Sequence, residues 1–239
     1  MKDKIVLIVG GSGGIGSASA KRFAKEGAKV ILAARNKSKA EEVAKEINDS
    51  GGEAFAIEVE ATDETSVSNM AQEIEDNLGK IDVLINAFGQ GIIKPFMDID
   101  PKDAQEVINV NVYGTFLITQ TVMKHMNTDE TNNMVFFPGT MGKYVMKNSS
   151  VYSASKFAIQ GFVKSLIEEQ RRGKTKYSLF YLGGVDTAFW EDDRVDMKVK
   201  KEMMLSPEEV AEAVFYGVNQ PSGSVMNEVV IQPESHQLV

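Results

Sequence analysis

Short apolar runs alternate with amphipathic helical patterns along most of the chain. The apolar runs, of which 5–9, 30–34 and 83–85 are examples, contain few polar residues, as do strands that are buried on both faces of a parallel sheet. Between them, apolar residues recur three and four positions apart, which is typical of helices with one buried face. This alternation predicts an α/β fold, with a doubly wound parallel sheet of about seven strands and helices on both faces.

The predicted elements follow one another with short connections. Strands are predicted at 5–9, 30–34, 54–59, 83–85, 134–137, 178–182 and 228–231. Helices are predicted at 17–26, 38–49 and 67–78, over a long stretch from Pro101 to Val122, around Tyr152, and after Pro207. The segment 188–205 has no clear periodicity, and a long insertion of that kind is usually a lid or a loose loop. We predict a substrate lid there.

Composition narrows the class of protein. With 239 residues, 43% of them hydrophobic, the chain can bury one substantial core, so residues 1–239 are expected to form a single domain. The chain has no cysteine, which excludes disulfides and cysteine-ligated zinc, and its two histidines are too few to suggest a histidine-rich metal site. A formal net charge of -8 argues against nucleic-acid binding. The apolar run near the start is too short for a signal peptide or a membrane span, so a cytoplasmic location is expected.

The most informative residues are Tyr152 and Lys156. They lie in an apolar helical pattern four residues apart, so both side chains project from one face, a single turn apart. A phenol with its unperturbed pKa of about 10 is a poor acid at neutral pH, but a nearby ammonium group favours the phenolate. The pair therefore predicts proton exchange with a substrate oxygen beside a cofactor.

A glycine-rich loop follows the first predicted strand. It consists of Gly10, Gly11, Ser12, Gly13, Gly14, Ile15 and Gly16. It leads from a strand into a helix, the geometry in which backbone amides and a helix N-terminus bind a pyrophosphate. Two spacings fit, because Gly11, Gly13 and Gly16 match the general dinucleotide fingerprint and Gly10, Gly14 and Gly16 match a wider variant. A flexible turn would explain one or two glycines but not five, so we predict phosphate binding.

The end of the second predicted strand bears on the choice of dinucleotide. An acidic residue there would bond the ribose 2′-hydroxyl and repel a 2′-phosphate. This chain has Arg35 instead, followed by Lys37 and Lys39, and a guanidinium group is a planar cationic donor for phosphate. A solvated loop arginine beside an exposed helix face is the alternative explanation. We predict NADP(H) as the preferred cofactor, with NAD(H) also possible.

Five sequence elements, in the same order, resemble motifs of the short-chain dehydrogenase/reductase family. They are Gly10, Gly14 and Gly16 of its TGxxxGxG loop, Asn86 and Gly89 of its NNAG element, Asn111 at its helix asparagine, Tyr152 and Lys156 of its YxxxK pair, and Gly183, Val185 and Thr187 of its PGxVxT segment. The departures inside these motifs are Val9, Ala87, Phe88 and Leu182. The resemblance extends over nearly the whole chain and implies a Rossmann fold and an oxidoreductase that acts on a small carbonyl or alcohol substrate.

The resemblance implies a role for each matched residue. Tyr152 would donate the proton in carbonyl reduction, and Lys156 would hold the nicotinamide ribose hydroxyls and, with the cationic oxidised ring, lower the phenol's pKa. Asn111 would bend its helix and link Lys156 to solvent through a water. The other implied cofactor contacts are Glu60 and Ala61 near the adenine, Asn86 and Ala87 along the adenosine ribose, Gly89, and Val185 and Thr187 at the nicotinamide amide. Family members usually assemble through two long helices and the last strand, so a homo-oligomer, a dimer or tetramer, is expected.

One departure from the family pattern affects the mechanism. The family's catalytic serine lies thirteen residues before the tyrosine, and that position is Gly139, which has no side chain to donate a hydrogen bond. The neighbouring Thr140 either replaces the serine or is a turn residue. Two hypotheses follow: an NADP(H)-dependent carbonyl reductase or alcohol dehydrogenase, and a catalytically impaired protein that binds or senses a dinucleotide. The intact Tyr152, Lys156 and Asn111 favour the first, and a methyltransferase would have no use for the tyrosine–lysine turn.

Apolar side chains are expected above the carboxyl ends of the strands, where α/β sheets bind ligands. They are Ile92, Ile93, Phe96, Met141, Tyr144, Val145, Met146, Phe189, Trp190, Met203 and Met204. The set predicts an apolar substrate mouth. A subunit interface and plain lid packing are alternatives, because methionines and aromatic residues serve all three.

Overall fold

One parallel sheet of seven strands organises the computed structural model, which describes residues 1–237. The strands are β1 (Ile5–Val9), β2 (Lys29–Ala34), β3 (Glu53–Glu58), β4 (Val83–Asn86), β5 (Asn132–Phe136), β6 (Thr175–Leu182) and β7 (Glu228–Ile231). Their order across the sheet is β3-β2-β1-β4-β5-β6-β7. All six neighbouring pairs are parallel. The predicted fold class and all seven predicted strands are confirmed, with boundaries that shift by a few residues.

The helices connect successive strands and cover both faces of the sheet. They are α1 (Gly14–Lys25), α2 (Lys37–Asp49), α3 (Glu64–Asn77), α4 (Pro101–Ile108), α5 (Thr115–Lys124), α6 (Ser150–Glu169) and α7 (Pro207–Val218). One hydrophobic cluster contains residues of α1, α2 and α7, and the other contains residues of α3, α5 and α6. Alternate residues of β1 contribute to the two clusters, Leu7 to one and Ile8 to the other, and both are fully buried. Burial stabilises the folded chain by roughly 1.5–3 kcal/mol for each such side chain.

The long helix predicted from Pro101 to Val122 is divided in the structure. Asp100 caps α4 through its side chain, with Pro101 in the first helical turn. A π-helical turn, Asn109–Gly114, then separates α4 from α5. Periodicity alone predicts one continuous helix here because a single wide turn adds only one extra residue to the repeat.

The segment 188–205 has little regular structure, as predicted. It contains two short 3₁₀ helices, Ala188–Glu191 and Lys201–Met203. Isolated bridges connect Val195 to Ile93 and Leu205 to Val185, so the segment is attached to the loops after β4 and β6. We call residues 188–205 the lid segment below.

Among residues 1–237, none of the helices combines the length and the apolar character that crossing a membrane would need. The same residues contain no group of three or more histidine, aspartate or glutamate side chains arranged to hold a metal ion.

Candidate active site

The glycine-rich loop lies at the carboxyl end of β1, where the order of the strands reverses. Since β1 lies between β2 and β4, the chain leaves a crevice there, outside the ends of the strands. The N–H groups of Gly10 and Gly11 both donate to the carbonyl oxygen of Ala33, at 2.8 and 3.1 Å. Gly10 has a φ of +86°, and a Cβ there would lie 2.6 Å from the carbonyl oxygen of Ala87. The loop therefore fits closely between the end of β2 and the segment after β4.

The amino end of α1 presents free amide groups toward this crevice. Gly13 is the N-cap residue, and within the described part of the chain no side chain caps this end. By contrast, Asn36 caps α2 and Asp63 caps α3. The first amides of a helix have no partner inside the helix and carry partial positive charge, so they favour an anion. Phosphate oxygens accept hydrogen bonds and carry negative charge, so they suit these amides in both respects.

The segment after β6 forms the opposite wall of the crevice. A Cβ at Gly14 would lie 2.7 Å from Cγ2 of Thr187, so the loop and this segment are in contact. The hydroxyl of Thr187 accepts a hydrogen bond from the N–H of Phe189 at 3.4 Å. Val185 is buried, and its carbonyl oxygen accepts a hydrogen bond from the indole Nε1 of Trp190 at 2.8 Å. The structure thus brings together two of the predicted cofactor segments.

Asn86, at the end of β4, has a buried amide without a partner. It is 4% exposed, and neither its Oδ1 nor its Nδ2 has a hydrogen-bond partner within residues 1–237. Leaving a buried polar group unpaired costs roughly 1–3 kcal/mol. The next residue, Ala87, donates its N–H to the carbonyl oxygen of Val9 at 2.8 Å, so this amide lies beside the glycine-rich loop. A polar ligand in the crevice would satisfy it.

Arg35 and Glu60, both predicted to contact a cofactor, differ in how free their side chains are. Arg35 follows β2, is exposed, and takes part in none of the ion pairs among residues 1–237. Glu60 is half-buried, and its Oε1 accepts from the N–H of Thr62 at 3.2 Å and from the hydroxyl of Thr62 at 2.8 Å. The guanidinium is therefore available to a ligand, whereas the carboxylate already holds a turn together.

Helix α6 presents Tyr152 and Lys156 together, as predicted. Lys156 is buried, and its Nζ donates to the carbonyl oxygen of Phe137 at 3.0 Å. The same Nζ lies 5.6 Å from the ring centroid of Tyr152. A Cβ at Gly89 would lie 3.6 Å from this Nζ and 3.1 Å from Oδ1 of Asn111. Tyr152, Lys156, Asn111 and Gly89 therefore form one cluster near the ends of β4 and β5.

Burial dominates the protonation of this pair. It raises the pKa of the Tyr152 phenol above its ordinary value, because the low-dielectric surroundings disfavour the phenolate. It lowers the pKa of Lys156 to about 8 for the corresponding reason. The pKa of the phenol is thus raised in the protein without cofactor, and the lowered phenol pKa expected beside an oxidised nicotinamide ring stays a prediction. The ammonium group is directed to the carbonyl oxygen of Phe137, and its attraction does not compensate for the loss of solvent.

Asn111 lies in the π-helical turn and is held firmly. Its Nδ2 donates to the carbonyl oxygen of Gln90 at 2.8 Å and to Oγ of Ser155 at 2.9 Å, while its Oδ1 accepts from the N–H of Gln90 at 2.8 Å. Ser155 in turn donates to the carbonyl oxygen of Tyr152 at 2.7 Å. The wide turn agrees with the predicted bend of the helix. The predicted water route from Asn111 to Lys156 stays a prediction.

The position of the family's catalytic serine lies in the turn after β5 and is occupied by Gly139. Gly139 has a φ of +62° and a ψ of 173°, a conformation that only glycine adopts readily. The space around it is open, since a Cβ there would meet only the carbonyl oxygen of Leu182, at 3.6 Å. Backbone conformation, and not crowding, therefore disfavours a serine here. Thr140 is buried at the start of a short 3₁₀ helix, and a Cβ at Gly142 would lie 3.2 Å from the carbonyl oxygen of Lys156, so this turn packs against α6.

Phe189 of the lid segment lies against the tyrosine. The two ring centroids are 5.5 Å apart, and the Phe189 ring also meets the Trp190 ring edge-on at 5.0 Å. A Cβ at Gly91 would overlap the Phe189 ring. Of the predicted apolar mouth, Phe96 and Val145 are exposed, at 70% and 78%.

Two other residues of the predicted mouth, Ile92 and Ile93, are buried. Gln90, by contrast, was missed by the sequence analysis although both of its backbone polar groups bond Asn111. The only signal for it was its position directly after Gly89.

Comparisons with known proteins agree with this geometry. A family model described as short chain dehydrogenase matches residues 4–198. An uncharacterised oxidoreductase of Staphylococcus saprophyticus is 30% identical over 234 residues, which are 98% of this chain and 98% of that protein. An alcohol dehydrogenase from the archaeon Thermococcus sibiricus, complexed with 5-hydroxy-NADP, has the same fold with a TM-score of 0.90, at 23% identity and 99% coverage of both chains. A 3-ketoacyl-(acyl-carrier-protein) reductase from Brucella melitensis, complexed with NADH, has a TM-score of 0.87, at 26% identity and 98% coverage of both chains. The chain therefore belongs to the short-chain dehydrogenase family of oxidoreductases.

Proposed function

We propose that the protein is an NADP(H)-dependent oxidoreductase that reduces a small ketone or aldehyde, or oxidises the corresponding alcohol. The observation that supports this most directly is the cluster of Tyr152, Lys156 and Asn111 beside the crevice at the end of β1. A nicotinamide dinucleotide, when bound, supplies or accepts the hydride. The protein has to hold that cofactor, orient the carbonyl group and move one proton.

The residues around the crevice fit such a cofactor. The uncapped amides of α1, together with Ser12, Gly14, Ile15 and Gly16, would bind the pyrophosphate. The unpaired amide of Asn86 would meet ribose hydroxyls, with Ala87 and Gly89 beside it. The other proposed contacts are Ala61 and Glu60 near the adenine, Val185 and Thr187 near the nicotinamide amide, and Lys156 at the nicotinamide ribose.

Arg35 supports a preference for NADP(H) over NAD(H). Its guanidinium follows β2, is exposed and has no ionic partner among the described residues. A 2′-phosphate would provide that partner through charge-assisted hydrogen bonds. The Brucella reductase mentioned above was crystallised with NADH and the Thermococcus enzyme with an NADP derivative, so family membership alone does not decide the preference.

Tyr152 is suited to give a proton at neutral pH. Because burial raises the pKa of its phenol, the group stays protonated throughout the neutral range and can donate to the carbonyl oxygen during reduction. Oxidation of the alcohol releases a proton, so its equilibrium is favoured at alkaline pH. Lys156 is charged below about pH 8, and its ammonium group then favours negative charge on the tyrosine as the proton leaves.

The missing serine leaves one donor to be explained. We propose that Thr140 polarises the carbonyl group, because it is the hydroxyl next to Gly139 and its turn packs against α6. The second candidate function is a dinucleotide-binding or sensing protein with little turnover, and the glycine-only backbone at Gly139 favours it. Loss of one oxyanion donor lowers kcat by about 10²–10³ in other enzymes, so weak activity is compatible with the first proposal.

One experiment separates the two functions. NADPH oxidation is measured with a panel of ketones and aldehydes, using the parent protein, Tyr152→Phe, and Tyr216→Phe as a matched control at an exposed tyrosine. An enzyme reduces at least one compound, loses that activity by about 10³-fold or more in Tyr152→Phe, and keeps it in Tyr216→Phe. NADPH binding by calorimetry without any turnover would instead support the sensor.

We propose in addition that two or four copies assemble. An apolar hollow of about 430 Å³ opens between α4 and α6, and a second hollow continues it along α5. Four side chains are exposed on these helices and on the turn between α4 and α5, at 39–43% each: Ile108, Tyr113, Phe116 and Phe157. Light scattering should give a mass of two or four chains of 26.2 kDa for the parent and a lower mass for Phe116→Glu. A parent that elutes as a monomer would contradict this.

A further inference from the structure

Gln90 lies between the catalytic cluster and the lid segment. It is half-buried and comes directly after Gly89. Its backbone is held at both ends by one side chain, since its N–H donates to Oδ1 of Asn111 and its carbonyl oxygen accepts from Nδ2 of Asn111, both at 2.8 Å. The position of the Gln90 backbone is therefore fixed by a residue of the proposed catalytic machinery.

The side chain of Gln90 extends in the other direction, to the lid segment. Its Oε1 accepts from Nη1 of Arg194 at 3.3 Å, and its Nε2 donates to Oε1 of Glu106 at 2.8 Å. The second carboxylate oxygen of Glu106 lies 3.5 Å from the same Nη1 of Arg194. Gln90, Arg194 and Glu106 thus form a closed triangle that joins the loop after β4, the lid segment and α4.

Arg194 is oriented for this contact. Its Nε and Nη2 donate to the two carboxylate oxygens of Asp192, at 3.0 and 2.8 Å, which leaves Nη1 for the triangle. Its side chain is 17% exposed. Its carbonyl oxygen accepts from the N–H of Ile93 at 2.8 Å, and the carbonyl oxygen of Ile93 accepts from the N–H of Asp196 at 3.0 Å. The lid segment is fastened at this point by both backbone and side chain.

The consequence of this fastening reaches Tyr152. Gly91, next to Gln90, leaves room for the Phe189 ring, which lies 5.5 Å from the Tyr152 ring. The same lid segment therefore meets the loop after β4 at Gln90 and the tyrosine at Phe189. A lid that is released at Arg194 would no longer hold an apolar surface over the phenol.

We propose that Gln90 is a positioning residue, which latches the lid segment through Arg194 and Glu106 and so sets how tightly the carbonyl substrate is held over Tyr152. In its effect on substrate this inference rests on the proposed function. The latch itself does not, because its contacts are made by the protein alone.

The test replaces Gln90 by leucine, which keeps a similar volume and the backbone contacts with Asn111 but removes both side-chain hydrogen bonds. Gln120→Leu, at an exposed position on α5, is the matched control. Amide hydrogen exchange is measured on the protein without nucleotide or substrate, at Ile93 and Asp196, whose N–H groups bridge the lid. We expect exchange about tenfold faster in Gln90→Leu and unchanged in the control, because a hydrogen bond to a charged group contributes on this scale.

Kinetics of carbonyl reduction provide the second measurement. In Gln90→Leu the KM for the carbonyl compound should rise about tenfold with kcat within about twofold of the parent, the pattern of a lost binding contact. Arg194→Gln should raise the KM to the same extent, and the conservative variant Arg194→Lys should raise it less. Unchanged exchange at Ile93 and Asp196 would overturn the latch. A fall in kcat with unchanged KM would also overturn the proposal, since it would mean that Gln90 only supports Asn111.

If Gln90→Leu does not fold, Glu106→Ala replaces it in the exchange measurement. This variant removes one member of the triangle from the exposed side of α4 and should make the amides of Ile93 and Asp196 exchange faster. The exchange comparison decides the latch even where the parent reduces no carbonyl compound, so failure of the proposed function is recognisable as a separate result.

Discussion

Replacing Lys156 by methionine should remove the proposed activity and reduce the pH dependence of stability. The lysine is 7% exposed, and burial lowers its pKa to about 8 from its ordinary value of about 10.4. At 1.36 kcal/mol per pH unit, keeping this ammonium charged in the folded protein at pH 7 costs roughly 3 kcal/mol. Methionine avoids that cost, but it leaves the carbonyl oxygen of Phe137 without its donor, which costs about 1–3 kcal/mol.

The pH dependence distinguishes the two effects. Below pH 8 the lysine is charged in both the folded and the unfolded chain. Between about pH 8 and 10.4 the folded chain has lost this proton while the unfolded chain keeps it, so the free energy of unfolding of the parent rises with pH by up to about 1.36 kcal/mol per unit. Lys156→Met lacks this gain. The stability of the variant relative to the parent should therefore fall by roughly 2 kcal/mol between pH 7 and pH 9.5.

The measurement is urea unfolding of both proteins at several pH values in this range. Lys164→Met is the matched control, since it removes an exposed lysine from the same helix and no buried charge. Its difference from the parent should stay constant with pH. If the difference in free energy of unfolding between Lys156→Met and the parent is equally constant with pH, the conclusion that burial lowers the pKa of Lys156 is refuted. This holds whatever the size of the difference at pH 7.

Three further substitutions test other parts of the site. Arg35→Asp should raise the KM for NADPH by at least about tenfold and lower that for NADH, because a carboxylate repels the 2′-phosphate; an unchanged ratio of the two constants would place that phosphate elsewhere. Gly139→Ser should lower the free energy of unfolding by about 1–3 kcal/mol through its strained backbone, without raising kcat, as urea unfolding and initial rates would reveal. Gly91→Ala should displace Phe189, lower the free energy of unfolding and change substrate selectivity. Adding Phe189→Ala to this variant should reverse the loss of stability caused by Gly91→Ala. A double variant as unstable as Gly91→Ala would argue against a clash between the two side chains.

Much of the fold was predictable because the hydrophobic pattern and the helix signals agree with the sheet. The strand at Ile5–Val9 was predicted with its observed bounds, since five apolar residues end there at a glycine. The last helix was predicted from Pro207, and in the structure Ser206 and Glu209 form a capping box around it. The π-helical turn could not be predicted from periodicity, and only the resemblance at Asn111 indicated a bend there.

The site was predictable where a residue type carries the chemistry and not where a contact does. Tyr152 and Lys156 could be paired from their spacing alone, but the direction of the phenol's pKa depends on burial, which four-residue spacing does not reveal. Gln90 is a common polar residue in a loop. Its importance appears only once residues 104 positions apart in sequence, Gln90 and Arg194, are neighbours in space.

The wide turn at Asn109–Gly114 means that α4 and α5 follow two different rotational phases. Each residue of a regular helix turns the chain by about 100°, so deleting one residue here would restore an even repeat and rotate α4 relative to α5 by that angle. In α5, Leu117 and Ile118 keep the phase required by the interior, whereas α4 keeps the phase that brings Glu106 to Arg194. Because of the extra residue, α5 turns Leu117 and Ile118 to the interior while α4 turns Glu106 to Arg194. One regular helix through both segments would have a different rotation between these two faces.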